Sequence, residues 1–239
     1  MNSAGDGPET TLANCSGGNC GLFECVTPVG ESVTCTSKTI TGYVVYGGDG
    51  KTLLECTESG CKSVGDGAEG YYANAGYDKT SKGVILCDGS HACTTIAAKK
   101  GYYRNAAVTA AAASSIIKCS SDTSCEIGNA VETTCNKSGS IVYPTSSEWH
   151  LCTANSNTGS VKLDTNPAFE SITLANTDDF PGAPSTKFIV KVTANSVLVL
   201  EGTKIKNHET LLIKKKRIFF KYLKEIILFN SYKIKKNIK

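Results

Sequence analysis

The chain has 239 residues, 40% hydrophobic and 20% charged, with 23 glycines, 10 tyrosines and 12 cysteines against one methionine and one tryptophan. That balance argues against a helical bundle and for many short strands joined by polar turns. The net charge of +3 hides two unlike parts: residues 1–203 carry 13 basic and 20 acidic groups, a net of −7, while residues 204–239 carry 12 and 2, a net of +10. The body is therefore acidic, which excludes a nucleic-acid-binding role for it whatever the overall pI suggests.

The first segment, residues 1–19, is irregular. It has no apolar leader that would direct secretion, although the cysteine content calls for an oxidising compartment. The expectation is that the natural N-terminus lies upstream and that the sequence begins in repeat material. Asn14-Cys15-Ser16 fits the N-glycosylation acceptor, as does Asn136-Lys137-Ser138 further on.

From residue 20 the chain repeats itself. TLLEC ends at Cys56, GVILC at Cys87 and SIIKC at Cys119, at intervals of 31 and 32. A second cysteine follows each, at Cys61, Cys93 and Cys125. Then comes a polar stretch and a Gly-Tyr step: Gly42-Tyr43-Val44, Gly70-Tyr71-Tyr72 and Gly101-Tyr102-Tyr103. The frame extends back to GLFEC at Cys25, followed by Cys35. It decays after Gly128, where SIVY (140–143) stands without its cysteine. A fixed period of this size marks a repeat array, in which units too small for a core of their own share one by stacking. The units are 20–41, 42–69, 70–100, 101–127 and a divergent 128–152.

Within a unit the apolar pairs Leu53-Leu54, Ile85-Leu86 and Ile116-Ile117 suit a strand. The glycine permits a turn that a Cβ would hinder, and the tyrosines start a second strand with one ring on each face. The spacing thus predicts two strands per repeat. The close cysteine pairs are read as disulfide staples: Cys56–Cys61, Cys87–Cys93, Cys119–Cys125 and Cys25–Cys35, with Cys15–Cys20 and Cys135–Cys152 as what remains. The fold class is all-β: an elongated array or solenoid of disulfide-stapled repeats of about 31 residues, since short-period repeats stack this way. Residues 153–203 read as a less regular β-rich part.

Residues 204–239 lack Gly, Pro, Cys and Ala and are rich in Lys, Ile, Asn and Phe. Two readings stand: a basic amphipathic helix, or a disordered run encoded by A/T-rich non-coding sequence. The apolar runs fall well short of the ~18 residues a membrane span needs.

Sites of chemistry are sparse. His91 lies between Cys87 and Cys93, but the cysteine steps and the single histidine do not fit a structural zinc site. His150 is isolated, and a titrating histidine needs a placed partner. Paired cysteines are staples rather than nucleophiles, and the carboxylates Glu55, Glu58, Asp66, Glu69, Asp78 and Asp88 are scattered through turns rather than paired for acid–base work. No catalytic, cofactor or metal residue is assigned. The candidate partner-binding residues are Tyr43, Tyr71, Tyr72, Tyr102 and Tyr103, because tyrosine is favoured at interfaces.

GYYAN with VILC-x5-C, and GYYRN with SIIKC-x5-C, resemble the repeats of scaffoldins, the non-catalytic proteins of the cellulosomes of anaerobic gut fungi. The resemblance covers roughly residues 20–152. It implies a secreted or cell-surface scaffold whose cohesin-like repeats dock the dockerin domains of plant-cell-wall hydrolases. The competing reading is a Cys-rich adhesin that binds cellulose or another polysaccharide directly through its tyrosines.

Overall fold

A computed structural model of the chain describes residues 9–16, 19–26, 32–46, 51–65, 69–76, 79, 82–88, 90, 92–108, 115–128, 132–145, 148–156 and 159–200. Among them are eighteen strands, one single-turn 3-10 helix at Thr177–Asp179 and no α-helix. The all-β class is as the sequence predicts. The basic segment 204–239 and His91 lie outside the described residues.

Each repeat contributes three antiparallel strands to a sheet; those of the second stand alone, and those of the first and third belong to six-stranded sheets. The first is β4 (Gly42–Val45), β5 (Leu53–Thr57) and β6 (Gly60–Ser63). The second is β7 (Gly70–Ala73), β8 (Val84–Cys87) and β9 (Cys93–Ile96). The third is β10 (Gly101–Arg104), β11 (Ile116–Cys119) and β12 (Cys125–Gly128). Two strands per repeat are expected from the sequence; the third starts at or beside the second cysteine. It escapes a periodicity search because KS, TTI and EIG lack apolar alternation.

The register is the same three times. The motif glycine opposes the first cysteine, as Gly42↔Cys56, Gly70↔Cys87 and Gly101↔Cys119. The two cysteines oppose each other, as Cys56↔Cys61, Cys87↔Cys93 and Cys119↔Cys125. Their disulfides therefore tie the mouths of hairpins, with Cα atoms 4.0, 4.0 and 4.1 Å apart. Cys25–Cys35 does the same for the hairpin of β2 (Asn19–Val26) and β3 (Thr34–Lys38). Cys135–Cys152 closes a wider loop, Cα to Cα 5.5 Å. The side chains of Asn14, Cys15 and Cys20 are outside the described set.

At the N-terminal end β1 (Glu9–Ser16) pairs with β2, and Glu9 opposes Cys25 where a repeat would place its glycine. Residues 9–38 thus have the strand plan of a repeat, where the sequence alone suggested an irregular segment up to residue 19. That reading missed β1 because ETTL carries neither the Gly nor the Tyr of the motif.

The sheets stack face on face. Strand alternation sends Leu54 and Cys56 to one face and Leu53 and Glu55 to the other. Leu53 packs on Tyr72, Ile85, Cys87 and Cys93 of the next sheet. Val84 repeats this against Tyr103, Ile117, Cys119 and Cys125. Ile85 and Ile117 are fully buried, each contributing ~1.5–3 kcal/mol by leaving water. The tyrosines bridge layers. Tyr43 meets Tyr72, and Tyr71 meets Tyr103, both with ring centroids 4.9 Å apart, a geometry contributing ~0.5–1.5 kcal/mol beyond area.

The Asn-Ala that follows each tyrosine pair joins the layers at their edge. Ala75 N–H donates to Tyr43 O and Ala106 N–H to Tyr71 O, each at 2.8 Å. The asparagine turns the chain to make this possible. Asn74 Nδ2 donates to Lys82 O at 2.7 Å, and its Oδ1 accepts from Gly76 N–H at 2.8 Å. Asn105 Oδ1 accepts from Ala107 N–H at 3.2 Å. Both asparagines are buried. The glycine is needed for the same joint: Gly70 has φ +122°, and a Cβ there would lie 2.8 Å from the Ala106 Cβ.

Residues 132–200 close the far end of the stack. They form β13 (Ile141–Thr145), β14 (Glu148–Cys152), β15 (Ser160–Lys162), β16 (Ala168–Thr173), β17 (Lys187–Thr193) and β18 (Ser196–Val199). β18 pairs antiparallel with β10, extending the third sheet to β12-β11-β10-β18-β17-β16. Around Gly101 the place that Ala75 and Ala106 hold in the earlier layers is taken by Val197 and Leu198. Tyr102 finds no following tyrosine and meets Phe180 instead, centroids again 4.9 Å apart. Ile116 and Tyr102 join the largest core, with Trp149, Leu151, Ile172, Phe180 and Val190. An array needs such an end piece, since its last layer would otherwise expose an apolar face. The segment SIVY belongs to this cap rather than to a stacked layer.

Candidate functional site

One cross-strand row changes its charge and polarity from repeat to repeat. In each sheet the first motif tyrosine, the residue before the first cysteine and the residue after the second stand side by side. The rows are Tyr43-Glu55-Lys62, Tyr71-Leu86-Thr94 and Tyr102-Lys118-Glu126. The framework residues around them are buried. The row lies at the rim where one sheet meets the next, so its outer members reach solvent.

The rows differ in chemistry. In the first, Glu55 takes Lys62 at 3.2 Å and the Tyr43 hydroxyl at 3.3 Å, closing its charges on itself. Burial, then the Glu55 carboxylate, pushes the Tyr43 phenol up to about 12. In the second, Tyr71 and Leu86 line a cleft of about 390 Å³ with Glu69, Asp88 and the turn Thr193–Asn195. In the third the charges reverse order, Lys118 then Glu126. That row opens on a cleft of about 430 Å³ whose opposite wall is Thr177–Ala183. Lys118 and Glu126 face each other in register but form no ion pair, because the Lys118 stem lies along Gly128, where only a glycine leaves room.

The tyrosines named from sequence divide by position. Tyr72 and Tyr103 are 4% and 2% exposed and belong to the interlayer cores. The Tyr103 hydroxyl accepts from Lys99 N–H at 2.7 Å. Tyr43 and Tyr71 are half-buried and present an edge at the rim. Tyr102 is 6% exposed because the cap covers it. Burial raises the phenol pKa of Tyr71, Tyr72, Tyr102 and Tyr103, with Asp179 adding to the effect on Tyr102.

Asn136 is exposed and donates to the Glu132 carboxylate at 3.2 Å. His150 is half-buried rather than isolated. Its Nδ1 lies 3.1 Å from Ser160 Oγ, and its Nε2 lies 3.6 Å from a Glu148 oxygen. Glu148 also holds Lys162 at 2.6 Å, and that bond draws the carboxylate below its usual range. Sequence reasoning missed this row because its members sit on two strands, 10 residues apart. Among the described residues no group of three His, Cys, Asp or Glu side chains is placed to hold a metal ion. No described helix is long and apolar enough to cross a membrane. The five described disulfides are typical of extracellular proteins. Comparison with protein-family models, with characterised proteins and with solved structures returns no match.

Proposed function

We propose that the chain is a non-catalytic secreted scaffold whose stacked repeats dock dockerin-bearing enzymes of plant-cell-wall degradation. The observation that supports this reading is the row: a constant frame of Gly, Tyr and paired Cys brings two variable side chains, beside the constant tyrosine, to the same rim of every layer. Repeat proteins bind in this way, with constant residues holding the array and variable ones contacting the partner. The Gly-Tyr-Tyr and paired-cysteine resemblance supplies the identity of the partner. An adhesin would use the same rim on polysaccharide. The deciding experiment incubates the oxidised full chain with immobilised fungal dockerin domains and, separately, with microcrystalline cellulose. Retention on dockerin, weakened by Leu86→Glu and Lys118→Glu, is the expected result. Retention on cellulose alone gives the adhesin reading.

A further inference from the structure

The cleft beneath the cap contains polar groups that have no partner among the described residues. Tyr102 lines it, 6% exposed, and its hydroxyl makes no hydrogen bond among the described residues. The ring is buried, but the hydroxyl oxygen is not sealed from solvent and is open to a group that enters the cleft. The carboxylates of Glu126 and Asp178 face the same space and form no ion pair. Asp179, also on the wall, is held by Lys137. Among the described residues Lys118 is the one cation lining the cleft, and its stem runs toward Gly128. The space beside Tyr102 therefore has an excess of acceptors and of negative charge, in a body whose residues 1–203 carry a net −7.

We infer that this cleft is an anchor pocket for one basic side chain, arginine above lysine, presented by a protein partner. The inference rests on the docking reading and names the chemistry of its contact. A guanidinium offers five donors in a plane. It can satisfy Glu126 and Asp178 together and still donate to the Tyr102 oxygen, while its aliphatic stem lies on Pro181 at the wall. The cleft, about 430 Å³, is within the range of small ligand sites. A sugar fits less well. Saccharides stack on the open face of an aromatic ring, and here the Tyr102 ring is edge-on to Phe180 and Phe180 is fully buried. The first row has no such pocket to offer, because Lys62 and Tyr43 already occupy Glu55.

The test is a titration of the isotope-labelled full chain, followed through the backbone amides of residues 118–126 and 177–183. The probes are N-acetyl-arginine amide, its neutral isostere N-acetyl-citrulline amide, and cellotetraose. Arginine amide is expected to shift these amides and citrulline amide to leave them in place. The Glu126→Gln, Asp178→Asn double variant is expected to weaken arginine binding about tenfold, as loss of charge-assisted hydrogen bonds does, and Tyr102→Phe by a smaller factor. Equal shifts by citrulline, shifts by cellotetraose alone, or no shift with any probe would overturn the inference. Dockerin binding separates this from the broader reading. Dockerin captured equally by wild type and by the double variant means that the pocket is not the anchor. Dockerin captured by neither removes the docking reading, and the arginine titration then decides the pocket alone.

Discussion

Gly101→Ala tests the joint between the array and its cap. Gly101 has φ +136°, a conformation that costs a residue with a side chain ~1–3 kcal/mol. The new Cβ would also overlap the Val197 carbonyl oxygen, with Val197 C at 3.1 Å and Leu198 Cα at 3.0 Å. These are backbone atoms, so β18 must move away from β10. Two flanking bonds, Arg104 N–H to Asn195 O and Val199 N–H to Lys100 O, are each 2.9 Å long. Losing both removes ~1–3 kcal/mol, so the sum is about 4 kcal/mol, centred on a broad range. Gly65→Ala is the control: φ is +74° and nothing lies within 4 Å of the added Cβ, leaving backbone strain of ~1–2 kcal/mol. Urea unfolding of the oxidised protein measures both. The single tryptophan, Trp149, lies in the cap with the Arg104 guanidinium 5.6 Å from its ring centre, so its fluorescence reports the joint directly. If Gly101→Ala costs no more than Gly65→Ala, the close approach of β18 is refuted.

The tyrosine ladder makes stability fall in alkali. Its phenols titrate above their ordinary value near 10, Tyr43 at about 12. The folded protein thus holds these protons more tightly than the unfolded chain. Stability is full below pH ~10 and is lost as pH rises toward the folded values; phenolate absorbance and urea midpoints measured together should show it, and a flat profile to pH 12 would contradict it. Asn105→Ala should cost ~1–3 kcal/mol by leaving the Ala107 amide and its neighbours unpaired, read as a lowered melting temperature. Replacing Cys87 and Cys93 together by serine should cost ~2 kcal/mol, the loop-closure value for so short a span. In the reduced protein the same substitutions should lose the loop-closure part of this cost and keep only that of burying two hydroxyls in place of sulfurs.

The period, the stapled hairpins and the all-β class were legible because cysteine, glycine and the apolar pairs recur at fixed offsets. The layer contacts were not. Tyr72 and Tyr71 look alike in the text, yet one is core and the other rim, because the offset between stacked sheets decides which ring meets which. Asn74 and Asn105 recur in the motif without an evident role; only the three-dimensional arrangement shows that they turn the chain back onto the preceding layer. The cap was harder still. Its strands replace Gly-Tyr-Tyr contacts with Val197, Leu198 and Phe180, which share no pattern with the motif they stand in for. The variable row could have been noticed from sequence as the non-framework positions flanking the cysteines. Its convergence on one rim follows from the third strand, which carries little apolar signal.

The described disulfides are all local, spanning 5 to 17 residues, and none crosses from one stacked repeat to the next. Under tension the stack therefore behaves as a series of separable plates. Apolar contacts and a few backbone hydrogen bonds, such as Ala75 N–H to Tyr43 O and Cys93 N–H to Lys51 O, can part between plates while each hairpin mouth stays locked. A repeat of about 31 residues with a short locked loop releases about 25 residues, or ~85 Å, when it yields. A plate can yield in this way and restack with no covalent bond broken.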